Sequence, residues 1–401
     1  MTWRNEFPVL VPDAHAVGNI AVIRSLGRAG YPVHACATGP EALGLQSNYA
    51  THAVVMPPHD SDEFLDWARS YVAKEGIRVI IPSEGFLMAV RRAYAEFSAL
   101  LPLPNDPDVT YRAFSKIDVD RTLYAAPEEL GFAEHLPPSL IACSNDPLPS
   151  IAEIDALGAP FFVKSDVAYC RQGNRSVTKR VETAEETRAE LERLFEAFKA
   201  VLVQGWVGGV KAAAAYCIDA QRVLTRTGVL GLRTNPHRGG MMSLRETWHH
   251  PALSDIALAW LRYIDWLGVA MLECKWEPET NRFWLIEINS RYWGYLHLDL
   301  FSGIDVPRIQ VDAFLGHPQD ETPTQKLGVR CRHTLPSDIG HLSSKLRDHE
   351  VGLGEKAATV ARFGLDFLDP RLHSDLMFPG DRKLYWLQLR QSLQTLGPKS
   401  S

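Results

Sequence analysis

The segment 283–294, FWLIEINSRYWG, opens as an apolar and aromatic strand and then sets Glu287, Asn289 and Arg291 at every second position. Alternate residues of a strand share a face, so a carboxylate, an amide and a guanidinium line up together. VAMLECKW at 269–276 is a second strand pattern, and the intervening EPETNR suits a hairpin loop. With Pro278 to Arg282 as that loop, centred on Thr280, Glu273 falls opposite Glu287 and Met271 opposite Asn289. Directly opposed Cβ atoms lie roughly 4.5–5.5 Å apart, so two such carboxylates repel. A hard divalent cation such as Mg²⁺ between them relieves the repulsion, because it takes one or two carboxylates together with phosphate and water oxygens. Asn289 adds a neutral oxygen ligand, and Arg291 can hold a phosphate or carboxylate bidentately. Trp284, Ile286 and Ile288 are expected to pack as core on the opposite face. A solvated strand face with a Glu–Arg salt bridge accounts for Glu287 and Arg291, but not for Glu273 opposite with an Asn alongside. A one-residue slip of the hairpin would undo the pairing.

Such a hairpin needs a scaffold. The first hundred residues alternate strand and helix patterns: FPVLVPD, the helical AVGNIAVIRSLGRA stopped by Gly30, YPVHACA, AVVMPP, the helical DEFLDWARSYVAKEG, and IRVIIPSEG. This β-α-β series predicts a mostly parallel, doubly wound sheet over 1–108, closed by the Pro-rich LLPLPNDPD. Its first turn, PDAHAVGN, lacks G-x-G-x-x-G, so a dinucleotide site is not indicated. Asp13, His15, Asn19, Ser83 and Glu84 lie at carboxyl ends of strands, where ligands gather in open α/β sheets. Turn chemistry and helix capping explain the same residue types. From 109 onward, helices and antiparallel strands mix, which predicts an α+β unit over 109–317. A helix is expected across YRAFSKIDVDRTLYAA, and a strand at PFFVKS ahead of the polar loop DVAYCRQGNRS. The remainder, 318–401, reads as a more polar, less regular extension.

The formal net charge of -6, without a long Lys/Arg block, argues against a nucleic-acid or anionic-membrane surface. No apolar run approaches membrane-spanning length, and MTWRNEFPVLV has no apolar leader core, so a cytoplasmic protein is expected. The six cysteines are scattered with no C-x-x-C pair, which speaks against zinc ribbons and disulfide frameworks.

The sequence resembles the ATP-grasp superfamily of carboxylate–amine ligases, nearest the branch of carbamoyl phosphate synthetase large-chain domains. The likeness is carried by EINSRYWG at 287–294, SGIDVP at 302–307, Glu273 one strand earlier, and a P-x-x-V-K strand behind a βαβ domain. It spans most of 1–317, and implies a fold of two α+β subdomains clasping ATP, with the lid subdomain at about 115–205. It implies Glu273, Glu287 and Asn289 as Mg²⁺ ligands, and Arg291 as the group steadying phosphate and an acyl phosphate. Lys164 and Lys116 match lysines that contact nucleotide phosphates, and VLVQGWVGG at 201–209 matches the hinge that grips adenine. Here the chain departs from the pattern. The hinge has Gln204-Gly205 where many relatives have Gln-Glu, and Gly208-Gly209 leads to Val210 and Lys211 with no acidic residue for a ribose. Adenine is then expected on the Trp206 and Val207 backbone, with Gln204 and Lys211 among the cofactor contacts. The loop after Lys164, which contains Gly173, is a candidate phosphate lid.

The implied reaction is attack of a carboxylate on the γ-phosphate of Mg-ATP, then displacement of phosphate by an amine. Two alternatives stay open: bicarbonate or another nucleophile in the same chemistry, and a nucleotide-binding regulatory subunit without turnover. For substrates, Arg233, Arg238, Arg245, Asp13 and Glu84 are candidates, with Gly239-Gly240 allowing close backbone approach. The partners expected are a small carboxylate and a small amine, with a homodimer left open.

Overall fold

The computed structural model describes residues 3–166, 170 and 177–396. Apart from Asp166 and Cys170, the predicted lid loop after Lys164, including Gly173, lies outside these residues. Among the described residues, fifteen strands build three sheets. The first four are β1 (Val9–Val11), β2 (Val33–Ala37), β3 (His52–Val55) and β4 (Val79–Ile80), in the order β3-β2-β1-β4, all parallel. The helix Val17–Ala29 ends where predicted, with Gly30 at φ 97° returning its N–H to the last turn. Gly76 at φ 61° does the same for the helix Phe64–Glu75.

A smaller antiparallel sheet follows, made of β5 (Ser139–Cys143), β6 (Phe161–Ser165), β7 (Thr178–Val181) and β8 (Ala200–Gly205), in the order β5-β8-β6-β7. The third sheet holds β9 (Val210–Ile218), β10 (Val223–Asn235), β11 (Met241–Thr247), β12 (Gly268–Glu277), β13 (Arg282–Asn289), β14 (Arg330–Arg332) and β15 (Leu372–Ser374). Its order is β13-β12-β9-β10-β11-β14-β15. Strand β9 carries Ala212 to Ala215, a residue type with modest strand preference. Burial explains it. Ala212 and Ala214 pack into one core cluster and Ala213 and Ala215 into another, so small side chains let both layers close on the sheet. Two strands come from beyond residue 317, so the extension is partly built into the large sheet. No described helix is long and apolar enough to cross a membrane.

Three expectations need correction. The helix expected across 111–126 is two helices, Pro107–Phe114 and Lys116–Tyr124. Ser115 between them is extended and caps the second helix through Asp118 N. Buried Asp166 holds the break, accepting hydrogen bonds from Ser115 Oγ (2.8 Å) and Ile117 N (3.1 Å). Lys116 therefore sits at the start of a helix rather than along its side.

The hairpin turns half a residue earlier than expected, pairing Glu277 with Arg282 and Cys274 with Leu285. A β-bulge at Ile286 then restores the expected pairs Glu273↔Glu287 and Met271↔Asn289. The bulge also reverses the faces. Phe283 and Leu285 are core, and beyond it Ile288 packs against the same cluster, so Glu287 and Asn289 face the other way. Trp284 and Ile286 are thus not core partners of Ile288. The Trp284 indole donates to Glu277 Oε1 at 2.9 Å and is stacked by the Arg282 guanidinium.

The extension does more than add strands. Arg24 of the first helix is fully buried against Asp381 at 2.9 Å, and Asp381 also accepts from Ser47 Oγ and Asn48 N. A buried ion pair lacking either partner is strongly unfavourable, so this pair ties the extension to the parallel-sheet domain.

Candidate active site

The facing carboxylates lie where the large sheet meets the small one. From the small sheet, Lys164 on β6 reaches Gln204 Oε1 on the neighbouring β8 at 2.6 Å. It also reaches the Ile286 carbonyl on the bulged strand at 3.5 Å. The second contact bridges the sheets, and the first fixes the lysine within its own. Burial pushes the Lys164 ammonium down to about 8, against the pull of Glu287 and Glu273.

The two carboxylates differ in environment. Burial pushes the Glu273 carboxyl up, opposed by its ion pair with Lys211. Burial acts the same way on Glu287, but Lys116 and Lys164 outweigh it and hold Glu287 below the usual carboxylate range. Asn289 Nδ2 donates to Glu287 Oε1 at 3.1 Å, which leaves the amide oxygen as its remaining acceptor. Among the described residues no cluster of three or more His, Cys, Asp or Glu side chains is arranged to hold a metal. The donor set is instead two facing carboxylates and an amide oxygen, which fits a hard cation completed by phosphate and water.

Two cavities adjoin this centre. One has largely apolar walls, Val119, Leu123, Leu202, Leu285, Ile286 and Ile288, with Lys116, Asp120, Lys164, Gln204 and Glu287 at its polar side. The other is more polar, lined by Glu84, Phe114, Lys116, Asp166, Glu287, Ile288, Asn289, Ser290 and Arg291. Lys116 and Glu287 belong to both. Arg291 extends its Nε to within 3.6 Å of Glu84 Oε2. Glu84 stands just after β4, so the parallel-sheet domain contributes one wall of the polar cavity.

No protein-family model matches the chain, and no curated protein matches it in sequence. Its fold does match solved structures. N5-carboxyaminoimidazole ribonucleotide synthetase from Thermus thermophilus aligns with a TM-score of 0.57 at 18% identity, over 80% of this chain and 81% of that one. The L-amino acid ligase from Bacillus licheniformis aligns with a TM-score of 0.55 at 14% identity, over 79% and 75%. Rhizobium etli pyruvate carboxylase aligns with a TM-score of 0.59 at 15% identity. That match covers 81% of this chain but only 32% of the carboxylase. The chain has the ATP-grasp fold. Lys164, Gln204, Glu273 and Glu287 lie where its two antiparallel sheets meet.

Not every predicted residue reaches the two cavities. Arg245 is buried in an ion pair with Asp375 of the extension. Arg233 pairs with Asp338 (3.2 Å) and Asp366 (2.7 Å), and Arg238 with Asp348 (2.7 Å) and Glu350 (2.5 Å). All three arginines answer carboxylates of the extension, and none lines either cavity. Asp13 is held by His59 Nε2 at 2.9 Å and lines neither cavity. Trp206 is 53% exposed and Val207 buried, and neither lines the cavities. The Trp206 N–H already donates to the Gly158 carbonyl at 3.1 Å, so a backbone reading of adenine there would rest on other groups.

Two residues not anticipated do enter. Asp120 lies one helical turn after Lys116, on the same face, in KIDVD. Burial pushes its carboxyl up to about 6, eased by the Ser139 hydroxyl at 3.0 Å. The i, i+4 spacing could have revealed it, had the helix boundary at Ser115 been known. Asp166 lines the polar cavity and has no comparable sequence signal, because its partners lie some fifty residues away.

Proposed function

We propose that the chain is an ATP-dependent carboxylate–amine ligase. A single observation carries this reading: Glu273 and Glu287 face one another beside Asn289, and of the two cavities that share Glu287 and Lys116, Lys164 lines one and Arg291 the other. The apolar cavity suits a nucleoside, and the polar cavity suits the phosphate end and the carboxylate it activates. Phosphoryl transfer needs alignment and neutralised charge more than a protein nucleophile. Lys164 and Lys116 neutralise phosphate oxygens, with Lys164 held in place by Gln204. Glu273, Glu287 and Asn289 are the residues that would hold Mg²⁺, which when bound supplies positive charge to the transferring phosphoryl group. Arg291 orients the substrate carboxylate and then the acyl phosphate. Glu84 keeps Arg291 aimed into the cavity. An amine completes the reaction by displacing phosphate.

A second reading has bicarbonate as the activated carboxylate. Solved neighbours support it, since they include a biotin carboxylase domain in complex with MgADP and bicarbonate at 15% identity. One experiment separates the two. The protein is incubated with Mg-ATP and pools of carboxylates and amines, ADP is followed, and products are identified by mass. Amide formation with ADP release supports the ligase. ADP release that needs only bicarbonate supports the second reading, and no ADP with any pool sinks both.

A further inference from the structure

Lys211 is a cation paired with Glu273 that the proposed chemistry does not use. It lies on β9, opposite Lys275 and diagonal to Glu273, whose direct partner on β9 is Ala213. The two lysines part ways. Lys275 turns outward and donates to the Gly209 carbonyl at 3.1 Å, whereas Lys211 makes an ion pair with Glu273. Both members of that pair are mostly buried, at 16% and 15% side-chain exposure. Gly231 on β10 makes room for the lysine stem, because a Cβ there would sit 3.3 Å from Lys211 Cβ and 3.2 Å from its carbonyl oxygen. The stem is thus seated by packing and the ammonium by its ion pair with Glu273.

We propose that Lys211 is a built-in cation of the metal–phosphate centre, standing where a second divalent ion would otherwise compensate Glu273. The proposal rests on the reading of the cleft as a nucleotide site. Phosphoryl-transfer centres with two metals place them about 3.5–4 Å apart, bridged by carboxylates and phosphate oxygens. Two facing glutamates could serve such a pair of ions. Here one is already answered by a lysine at contact distance, while Glu287 shares its surroundings with Asn289, the remaining oxygen donor. A second dication close to a seated ammonium meets like-charge repulsion in a poorly solvated cleft. The site is accordingly a one-ion site, with the divalent ion on the Glu287–Asn289 side and Lys211 on the Glu273 side.

The test counts ions, not turnover. Full-length protein is saturated with the non-hydrolysable ATP analogue AMP-PNP, and bound Mn²⁺ per chain is measured by equilibrium dialysis with electron paramagnetic resonance. Displacement of a fluorescent nucleotide reports analogue binding independently. The native chain is expected to hold one Mn²⁺, Lys211→Arg one, and Lys211→Met two. A native count of two with the analogue bound overturns the one-ion assignment and leaves the nucleotide reading standing. A Lys211→Met count that stays at one overturns the role given to Lys211. No displacement by AMP-PNP in the native chain overturns the nucleotide reading and this proposal together. The native count decides by itself if Lys211→Met does not fold.

Discussion

Glu273 and Glu287 are direct cross-strand partners, yet their carboxyls depart from the usual range in opposite directions. Burial disfavours charge on both. The difference comes from the cations each one sees: Lys211 beside Glu273, Lys116 and Lys164 around Glu287. Glu287 is the better standing anion of the pair, which under the proposed chemistry makes it the principal ligand for a cation.

Glu287→Gln is therefore expected to lower turnover by at least about a hundredfold, because it removes the charge that a divalent ion meets. The fold should survive, since the change also removes like-charge repulsion within the pair. Steady-state kinetics with circular dichroism checks both halves. Turnover within tenfold of the native rate would contradict the metal assignment.

The lowered lysine predicts a pH profile for nucleotide binding. A bound phosphate favours the ammonium form of Lys164, which free protein loses as pH rises through about 8. Below that pH, binding needs no proton. Above it, binding must take one up, so affinity for ADP should fall by up to about tenfold per pH unit. In stability the sign is reversed. The folded value lies below the usual lysine value of 10.5, so the cost of burying the charge is complete below about 8 and is relieved as pH rises toward 10.5. Titration calorimetry between pH 7 and 10 on native protein and Lys164→Met tests the binding claim; a profile unchanged in the variant would assign the inflection elsewhere.

Ile286 carries a geometric prediction. Deleting it removes the bulge and turns either Glu287 and Asn289 or Phe283 and Leu285 to the wrong face. The deletion variant should lose AMP-PNP binding, fold cooperativity or both, whereas Ile286→Val keeps the backbone count and should keep both. A deletion variant that bound the analogue like the native chain would mean that the bulge does not orient the site.

Arg233 and Asp381 separate structure from function. Arg233→Ala breaks ion pairs with Asp338 and Asp366 remote from the cleft lining, so KM for any substrate should stay within about twofold while the melting temperature falls. Asp381→Ala strands the buried Arg24 guanidinium and should cost about 3–5 kcal/mol of stability. Thermal and denaturant melts measure both, and a KM raised tenfold by Arg233→Ala would restore it to the site.

Much of the cleft could be read in the chain itself. A period-two alternation and a loop rich in turn residues, both properties of neighbouring residues, named the hairpin and the pair Glu273–Glu287, although the bulge at Ile286 that restores this register had no sequence signal. The glycine stop at Gly30 and the parallel β-α-β series were legible for the same reason. Side-chain partners far along the chain were not. An arginine in LRTNPHRGG or SLRETWHH looks equally ready for a substrate or a carboxylate of the protein, and only folding brought Asp338, Asp366 and Asp375 to Arg233 and Arg245. The helix break at Ser115 depended likewise on Asp166, fifty-one residues away. Local hydrogen-bonding geometry determined which residues share a face. Tertiary packing decided which charges are turned to partners elsewhere and which line the cavities, Lys116, Lys164, Glu287 and Arg291 among them.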